Sequence, residues 1–550
     1  MGAGWRLYGI WICFAARLLF YASMLPLWEG YDEWAHFSVI RIMATRGVAL
    51  APRYAPVPRD VAESLDLAPV PWELRGRPSP AVTQDAFWRL APEERAGRER
   101  VFRNMPPAWR QETEPTLTAY EALQPPLYYW LMTPVLYFAS HFSLGAQVVT
   151  LRYLSVLLAS LAIPLFYRIA MAVFDDADVA LACTAVAALM PEWALDVARV
   201  GNDCLSLVLF TLVIWIGLKL LEDGPTIRWS VAMGAALGCG LLTKAWFLAA
   251  APPVALLYFG THPGAGGDKQ DAPGAGRSTG AARTSACATL LIATAISGWW
   301  YIHNLVTTGT LSGLSESVIL RRTGIGELAA AAVHIPWPTA IDSILFSHLY
   351  YGGWSSLTVR SWMYHVFYVL VLAAAIGLVR VARRPSLVWL LLIYATFWLG
   401  QLYNVVLIFM SKGVPTSMGW YLFAAVAAEV PLCVAGLRGL LPKRFSHWPL
   451  FVGALLFGLL DLYTVHAVAM PYYTGLIAHR ATGALASLPW ADFRLANLGV
   501  VFHRLVIFKG AAMVWPVILV LWVVYLLTTL WLMLGGAEWA APGRRRDILR

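Results

Sequence analysis

Long apolar runs separated by short polar connections fill most of the chain. The first run extends from about Arg6 to Trp28, and an α-helix of that length can cross a bilayer. Comparable runs occupy residues 148–173, 178–196, 204–221, 286–306, 363–381, 386–409, 418–437, 447–469 and 513–534. The pattern predicts an all-α polytopic membrane protein.

Two apolar stretches do not have the length of a single span. Residues 229–260 are interrupted by Thr243-Lys244, so we predict a hairpin of two short helices with Lys244 at the turn. Residues 127–140 are short for a span and follow Pro125 and Pro126, which suit a helix start. If 127–140 does not cross, the chain has about twelve spans.

Three longer polar segments cover residues 29–125, about 307–361, and 470–512. The first is too long for a passive connection, and we expect juxtamembrane helices within it. The Gly- and Ala-rich stretch at 261–284 has the composition of a flexible linker.

Composition agrees with a membrane protein. The chain is 59% hydrophobic and only 13% charged, whereas a soluble domain is nearer a quarter charged. The formal net charge of +9 does not indicate nucleic-acid binding, because much of it lies in short loops. The six cysteines lie in or beside apolar runs without metal-ligand spacing, so we expect no disulfide.

Positive charge in the short loops predicts the orientation. Basic residues flank the last spans and form the C-terminal tail; they are Arg380, Arg383, Arg384, Arg438, Lys443, Arg444, Arg544, Arg545, Arg546 and Arg550. The positive-inside rule places them in the cytoplasm. Both termini are then cytoplasmic and the segment 29–125 is external. The first apolar run carries Arg17 and no cleavage site, which predicts a retained helix with Arg17 facing a polar cavity or a carboxylate.

The orientation of the middle of the chain depends on residues 127–140. If they do not cross, Asp203, the Lys244 turn and His303 are external. If they do cross, 229–260 must be one span and Asp203 is internal. We favour the first topology, because 127–140 is short and the second buries Lys244.

The first span is followed by Gly30-Tyr31-Asp32-Glu33-Trp34-Ala35-His36. We predict a helix over 33–46 with Asp32 as its N-cap and Gly47 at the left-handed C′ position. Asp32, Glu33 and His36 then project to one side. Two interpretations stay open at this point: a solvated, capped helix start, or a catalytic carboxylate at the membrane surface.

Polar residues at the external helix ends lie at one depth in the favoured topology. They are Asp32, Glu33, His36, Gln124, Asn202, Asp203, Lys244, His303 and Asn304. Ionisable groups at membrane depth usually face a cavity. The structural alternatives are Asp203 as a helix cap, Lys244 as a snorkelling lysine and His303 as an interface histidine. Together, however, carboxylates and a cation suit transfer from a lipid phosphate to a hydroxyl.

These motifs, in this order, resemble the GT-C superfamily of membrane glycosyltransferases. The resemblance rests on Asp-Glu-x-x-His from Asp32, Gln124-Pro-Pro-Leu-Tyr-Tyr, Gly201-Asn-Asp, Gly-Leu-Leu-Thr-Lys244 and Trp299 to Asn304. It is nearest the branch of protein O-mannosyltransferases and aminoarabinose transferases. Residues 346–354 and 419–422 are similar to motifs of a little-characterised bacterial subgroup. His303 and Trp420 stand where an Arg is usual in these families.

The resemblance implies a GT-C fold, with a GT-C module over 1–310 and a variable module over 311–550. It implies Asp32 or Glu33 as catalytic base or metal ligand, Asp203 as second acid, and Lys244 as the phosphate-binding cation. The remaining substrate-binding candidates are His36, Gln124, Asn202, His303 and Asn304. Some relatives use a divalent metal and others do not. Mg or Mn, if used, would be held by Asp32, Glu33, His36 and Asp203.

The implied reaction is inverting transfer of a sugar from a polyprenyl-phosphate donor to a glycan, lipid or protein hydroxyl outside a bacterial inner membrane. Membrane lipid is an expected partner and nucleic acid is not. The alternatives are a lipid or glycan transporter and a noncatalytic scaffold of envelope assembly. The chain lacks the internal repeats common in transporters, whereas the missing Arg residues fit a scaffold.

Overall fold

The computed structural model describes residues 3–76, 82–259, 279–488, 498–511 and 513–540. Most of the predicted linker at 261–284 and the basic tail at 544–550 lie outside these ranges. The regular secondary structure in these ranges is helical except for one two-stranded sheet. The all-α polytopic prediction is confirmed.

Nine helical segments in the described ranges are long and apolar enough to cross a membrane. They are Ala3–Met24, Leu144–Phe174, Asp203–Asp223, Gly280–Thr308, Ser361–Val381, Pro385–Lys412, Gly419–Leu440, Lys443–Tyr473 and Trp515–Ala540. Two bent pairs could add two more: Ala177–Ala188 with Pro191–Val197, at 66°, and Ile325–His334 with Trp337–Leu349, at 83°. The prediction of about twelve spans also includes the two short helices on either side of Lys244.

In chain order the spanning region begins with α1 (Ala3–Met24) and continues after the first polar segment with α7 (Leu144–Ser160) and α8 (Ala162–Phe174). It then contains α9 (Ala177–Ala188), α10 (Pro191–Val197), α11 (Asp203–Asp223), α12 (Ile227–Leu241), α13 (Ala251–Phe259) and α14 (Thr279–Thr308). The later spans are α18 (Ser361–Val381), α19 (Pro385–Lys412), α20 (Val426–Leu440), α21 (Trp448–Tyr463) and α24 (Trp515–Ala540).

The run at 229–260 is a hairpin, as predicted. Helix α12 ends at Leu241, Lys244 precedes a 3₁₀ turn over Ala245–Ala250, and α13 follows. The run at 127–140 forms α6 (Leu127–Phe138), whose twelve residues span roughly 18 Å, well short of a hydrocarbon core of about 30 Å. Its length therefore favours the topology in which it does not cross.

The first polar segment contains α2 (Glu33–Arg46), with the bounds that the sequence predicts. Gly47 adopts φ 63° and its N–H bonds to Met43 O, as expected of a C′ glycine. The segment continues with β1 (Pro56–Pro58), α3 (Arg59–Leu67), α4 (Gln84–Phe87), α5 (Pro92–Arg103) and β2 (Thr113–Thr118). The antiparallel pairing of β1 with β2 was not predicted.

The other two polar segments also contain short helices. After α14 come α15 (Ser315–Ile319), α16 (Ile325–His334) and α17 (Trp337–Leu349). Near the last span lie α22 (Met470–Tyr473) and α23 (Leu498–Leu505).

A buried ion pair joins the first helix to the last part of the bundle. Arg17 Nη2 lies 2.7 Å from an oxygen of Asp461, and both side chains are fully buried. Tyr21 and Tyr525 donate to the same carboxylate at 2.6 and 2.7 Å. The prediction that Arg17 faces a carboxylate is therefore confirmed.

Candidate active site

Five connections converge at one end of the helices. They are the α1–α2 connection, the turn Tyr120–Leu123 before α6, the α10–α11 connection, the turn at Lys244, and the 3₁₀ segment Gly419–Ala425. Each begins or ends an apolar helix, which is why their polar side chains lie at a similar depth.

An ion cluster centred on Asp203 forms the floor of this site. Arg199 Nη2 binds one oxygen of Asp203 and Lys244 Nζ binds the other. Arg199 Nη2 also lies 2.9 Å from Asp196 Oδ1, and Arg199 Nη1 donates to Tyr31 O at 2.7 Å. Asp203 is thus paired with both cations that the cluster provides.

Lys244 is only 5% exposed, and aromatic rings cover its ammonium. Its Nζ lies 4.1 Å from the ring centroid of Trp246 and 5.6 Å from that of Tyr421. Such cation–π contacts, together with the Asp203 carboxylate, compensate a buried charge.

Small residues leave space for the Arg199 side chain. A Cβ added to Gly30 would lie 2.6 Å from Arg199 Cβ, and one added to Gly201 would lie 2.0 Å from Arg199 Nη1. Glycine is therefore required where the α1–α2 and α10–α11 connections pass this guanidinium.

Asp32 lies beside the cluster but makes no bond to it. Tyr120 donates to its Oδ1 at 2.5 Å, and the residue is half-buried. The predicted N-cap interaction is wrong: Asp32 has φ 54° and its side chain caps no backbone N–H, since Tyr120 binds the carboxylate instead. Burial raises the pKa of Asp32, while the Tyr120 hydrogen bond and the charges of Arg199 and Lys244 oppose the rise.

Glu121 is a second carboxyl group at this site. It is buried, and its Oε2 has no hydrogen-bond partner among the described residues. Burial, and then the negative charge of Asp32, raise its pKa to about 8. A neutral, protonated Glu121 therefore stands near an acidic neighbour at pH 7.

His36 completes this side of the site. Its Nε2 lies 3.7 Å from Glu121 Oε2, and its Nδ1 lies 2.9 Å from the hydroxyl of Tyr129. Burial lowers the pKa of His36 well below its ordinary value, so the ring is neutral at pH 7. His36 thus faces the same pocket as Asp32, as their spacing on α2 predicts.

Glu33 points away from Asp32. Its Oε1 accepts from Arg152 Nε at 2.7 Å and from Val200 N at 3.0 Å, and its Oε2 accepts from Arg152 Nη2 at 2.6 Å. Both Glu33 and Arg152 are buried. The structure therefore places Glu33 in an ion pair that joins α2, α7 and the α10–α11 connection.

Gln124 and His303 come together in a cavity of about 210 Å³. Arg53, Tyr129 and Trp300 also line it, and Val39 and Met43 of α2 form part of its apolar wall. His36, Val39 and Met43 lie at successive helical turns of α2, and Asp32 directly precedes that helix, so His36 and the cavity share one face of α2.

The two predicted asparagines donate hydrogen bonds to backbone carbonyls and do not face the pocket beside Asp32 and Glu121. Asn202 is fully buried and donates to Thr243 O at 3.1 Å, which ties the Asp203 and Lys244 connections together. Asn304 donates to Leu311 O and Ser312 O and accepts from Arg53 Nη1 at 3.1 Å.

Trp420 lies on Tyr31. Their ring centroids are 3.6 Å apart and nearly parallel, and Trp354 packs edge-on against both. Glu192 accepts from the backbone N–H groups of Tyr351 and Gly352 at 2.9 and 3.0 Å. The segment 346–354 is thereby fixed against the α1–α2 connection.

The predicted metal ligands do not gather around one point. Glu33 pairs with Arg152, Asp203 with Arg199 and Lys244, and Asp32 with Tyr120. Within the described part of the chain, no three His, Cys, Asp or Glu side chains are grouped to hold an ion. We derive no step through a metal.

Sequence reasoning missed Arg199, Tyr120 and Glu121. Arg199 could have been found, because Asp196 and Asp203 stand three residues before and four after it, the spacing of helical ion pairs. Tyr120 and Glu121 carry no such signal. They precede the Gln124-Pro-Pro motif in a turn whose direction only the fold determines.

Comparison with known proteins places part of this site in a family model. A model described as dolichyl-phosphate-mannose-protein mannosyltransferase matches residues 123–266, a segment that includes Gln124, Asp203 and Lys244. The match bears out, for this segment, the resemblance to GT-C glycosyltransferases. No curated protein matches the chain.

Two solved structures are similar to the chain. One is ArnT from Cupriavidus metallidurans bound to undecaprenyl phosphate, with 15% identity, a TM-score of 0.44, and coverage of 98% of this chain and 78% of that one. The other is the same protein in the apo state, with 14% identity, a TM-score of 0.45, and coverage of 98% and 77%.

Proposed function

We propose that this chain is a GT-C-type glycosyltransferase that moves a sugar from a polyprenyl-phosphate donor to an acceptor hydroxyl, with inversion at C1. The observation that carries the proposal is the position of Asp32, half-buried beside a closed Arg199–Asp203–Lys244 cluster. The family model matched by residues 123–266 supports a lipid-phosphate donor through its description.

Asp32 is the proposed general base. Tyr120 fixes one carboxylate oxygen, and the other stays available to an acceptor hydroxyl. Burial raises the pKa of Asp32, so its carboxylate is a stronger base than that of an ordinary aspartate. The nearby cations Arg199 and Lys244 favour that ionised form.

In the proposed step the acceptor oxygen attacks C1 from the face opposite the phosphate. The acceptor O–H bond breaks and its proton moves to Asp32, while a bond forms between the acceptor oxygen and C1. The bond from C1 to the phosphate oxygen breaks, and its electron pair stays on the polyprenyl phosphate. His303 supplies an N–H donor toward that leaving phosphate, and Lys244 adds positive charge from its position on Asp203.

The site is proposed to face the exterior of a bacterial inner membrane. The charge distribution and the short α6 support this orientation. The acceptor is proposed to be a glycan, lipid or protein of the cell envelope.

The test is turnover by purified protein in lipid nanodiscs. Wild type supplied with a polyprenyl-phosphate-linked sugar and an acceptor extract should release polyprenyl phosphate. Asp32→Asn should lower that release by about a hundredfold or more, because a positioned general base is lost. Asp66→Asn, on α3 of the same segment, is the matched control and should keep wild-type turnover.

Other outcomes would favour the alternatives. Movement of the intact donor across a proteoliposome membrane, without release of polyprenyl phosphate, would indicate a transporter. Equal turnover by wild type and Asp32→Asn would remove Asp32 from the mechanism. No release with any donor–acceptor pair, in a folded protein that still binds envelope glycan, would indicate a scaffold.

A further inference from the structure

The cavity of about 210 Å³ between α2 and α14 has the chemistry of an anion site. Its polar lining residues are Arg53, Gln124, Tyr129, Trp300 and His303. Among the described residues that line it, none is an Asp or a Glu. A lining that includes a guanidinium and an indole but no carboxylate suits a phosphate or a similar anion.

One donor in this wall lacks a partner. Trp300 is 4% exposed, and its Nε1–H makes no hydrogen bond within the described structure. An unsatisfied buried N–H costs free energy, so such groups usually serve a ligand or a water. The indole therefore independently indicates a bound acceptor of hydrogen bonds.

The remainder of the wall is apolar and adjoins lipid. Val39, Met43 and Leu50 contribute side chains to the cavity. His303 is exposed on the spanning helix α14, and its neighbours Ile302 and Val306 are 63% and 80% exposed. A ligand with an anionic head and a hydrocarbon tail fits this arrangement.

Arg53 is the one permanent cation among the described lining residues. It comes from the first polar segment, before β1, and is positioned by bonds from Nη1 to Asn304 Oδ1 and from Nη2 to Gly313 O. These bonds direct its guanidinium to the end of α14, beside His303.

We propose that Arg53 is the main cation that binds the lipid phosphate, in this cavity. The guanidinium is supplied by the first polar segment, whereas the imidazole of His303 is supplied by α14. This assignment rests on the proposed function for the identity of the lipid, a polyprenyl monophosphate. Asp32 directly precedes α2 and Val39 lies about two turns along it, so the two residues are separated by roughly 10 Å of helix axis, a distance that the transferred sugar can bridge.

The experiment measures binding without turnover. Wild type and variants in nanodiscs are titrated with a polyprenyl monophosphate, with the matched polyprenol and with phosphatidylglycerol. Arg53→Gln should weaken binding of the monophosphate by about ten- to hundredfold, the effect of losing a hydrogen bond to a charged group. Arg53→Lys should recover part of the affinity, since it keeps the charge but not the fork of donors.

Two further variants separate binding from folding. Trp300→Phe removes the unpartnered N–H without disturbing the Asn304 and Gly313 bonds, so affinity should fall several-fold at an unchanged thermal midpoint. Arg59→Gln is the matched control, because Arg59 lies in the same polar segment and pairs with the exposed Glu112 outside the cavity. Its affinity should equal that of wild type.

Three results would overturn the assignment: wild-type affinity in both Arg53→Gln and Trp300→Phe, equally tight binding of the polyprenol, or equal competition by phosphatidylglycerol. The last would identify a general anionic-lipid site. Binding that depends on Arg53 in a protein without transferase activity would leave the site standing and refute the proposed function. Transferase activity that is insensitive to Arg53→Gln would refute the Arg53 site and leave the proposed function standing.

Discussion

Four carboxyl groups and two cations share the centre of the site. The carboxyl groups belong to Asp32, Glu121, Asp196 and Asp203, and the cations are Arg199 and Lys244. Repulsion within this group is reduced if Glu121 holds a proton, in agreement with its pKa of about 8. The proposed donor is a phosphodiester with a single negative charge, so we expect the protonation of Glu121 to affect its binding.

Glu121→Gln should change the pH dependence of donor binding. In wild type, Glu121 is neutral below pH 8 and becomes an anion above it, so the KM for the donor should rise several-fold between pH 7 and 9. The Gln variant should behave like wild type at pH 7 and lack the rise. Steady-state kinetics at several pH values provide the measurement.

Stability supplies an independent check on Glu121. The folded-state pKa of about 8 lies above the ordinary 4.5, so the folded state holds a proton that the unfolded state has lost between these values. The resulting stabilisation is full below pH 4.5 and is lost as pH rises through 8. If the thermal midpoints of wild type and Glu121→Gln change in parallel over this range, Glu121 is ionised throughout.

The sequence identifies site residues where they end an apolar run. Asp32, Asp203 and Lys244 each stand at such an end, and membrane geometry brings them to one depth. The sequence alone does not show which partner a side chain binds. Glu33 follows Asp32 directly, yet the helical rotation turns it to Arg152 while Asp32 faces Tyr120.

At the scale of elements, cations fix the connection that carries Asp32. Arg152 Nη1 donates to the carbonyls of Ala22 and Leu25, and its Nη2 donates to Pro26 O. Lys509 Nζ binds the carbonyls of Ser23 and Met24. These contacts satisfy the free carbonyls at the end of α1, while Glu33 neutralises Arg152 at the start of α2.

Glu33→Gln should therefore act mainly on stability. It leaves the Arg152 charge buried without a counter-ion, a change that costs about 3–5 kcal/mol in comparable pairs. The thermal midpoint should fall clearly, whereas Glu93→Gln on the exposed surface of α5 should leave it unchanged. Replacing both partners, with Glu33→Leu and Arg152→Met, should recover part of the loss.

A different result would restore a chemical role to Glu33. If Glu33→Gln keeps the wild-type thermal midpoint but loses turnover about as strongly as Asp32→Asn, Glu33 acts on the substrate. Measurement of both quantities on the same preparations decides between the two roles.

Elements with strong local signals could be predicted closely. Helix α2 has the predicted bounds because Asp32 and Gly47 interrupt the helical pattern at both ends, and the hairpin over 229–260 follows from one lysine in an apolar run. The β1–β2 pairing could not be predicted, because its strands are three and six residues long and more than 50 residues apart. Pairing of that kind depends on how the whole first segment packs.

At the scale of the whole molecule, the division at residue 310 stays a prediction, and interactions cross it. The Arg17–Asp461 pair joins α1 to α21, and Glu192 of α10 binds the backbone at 351–352. The second half of the chain therefore contributes directly to the surroundings of Asp32, including the Trp420 ring stacked on Tyr31.

The orientation of this assembly is the remaining prediction, and it decides whether the site faces the exterior. Counting crossings from a cytoplasmic N-terminus, with α6 outside the membrane and α9–α10 as one bent span, places α5 outside and the α20–α21 connection inside. Single cysteines at the exposed positions Ala96 and Pro442, in a background without the six native cysteines, report the two sides. A membrane-impermeant maleimide should label Ala96→Cys in intact cells and Pro442→Cys only after permeabilisation. The reverse pattern would place Asp32 and the Arg53 cavity on the cytoplasmic side, where a donor lipid would have to be presented from within the cell.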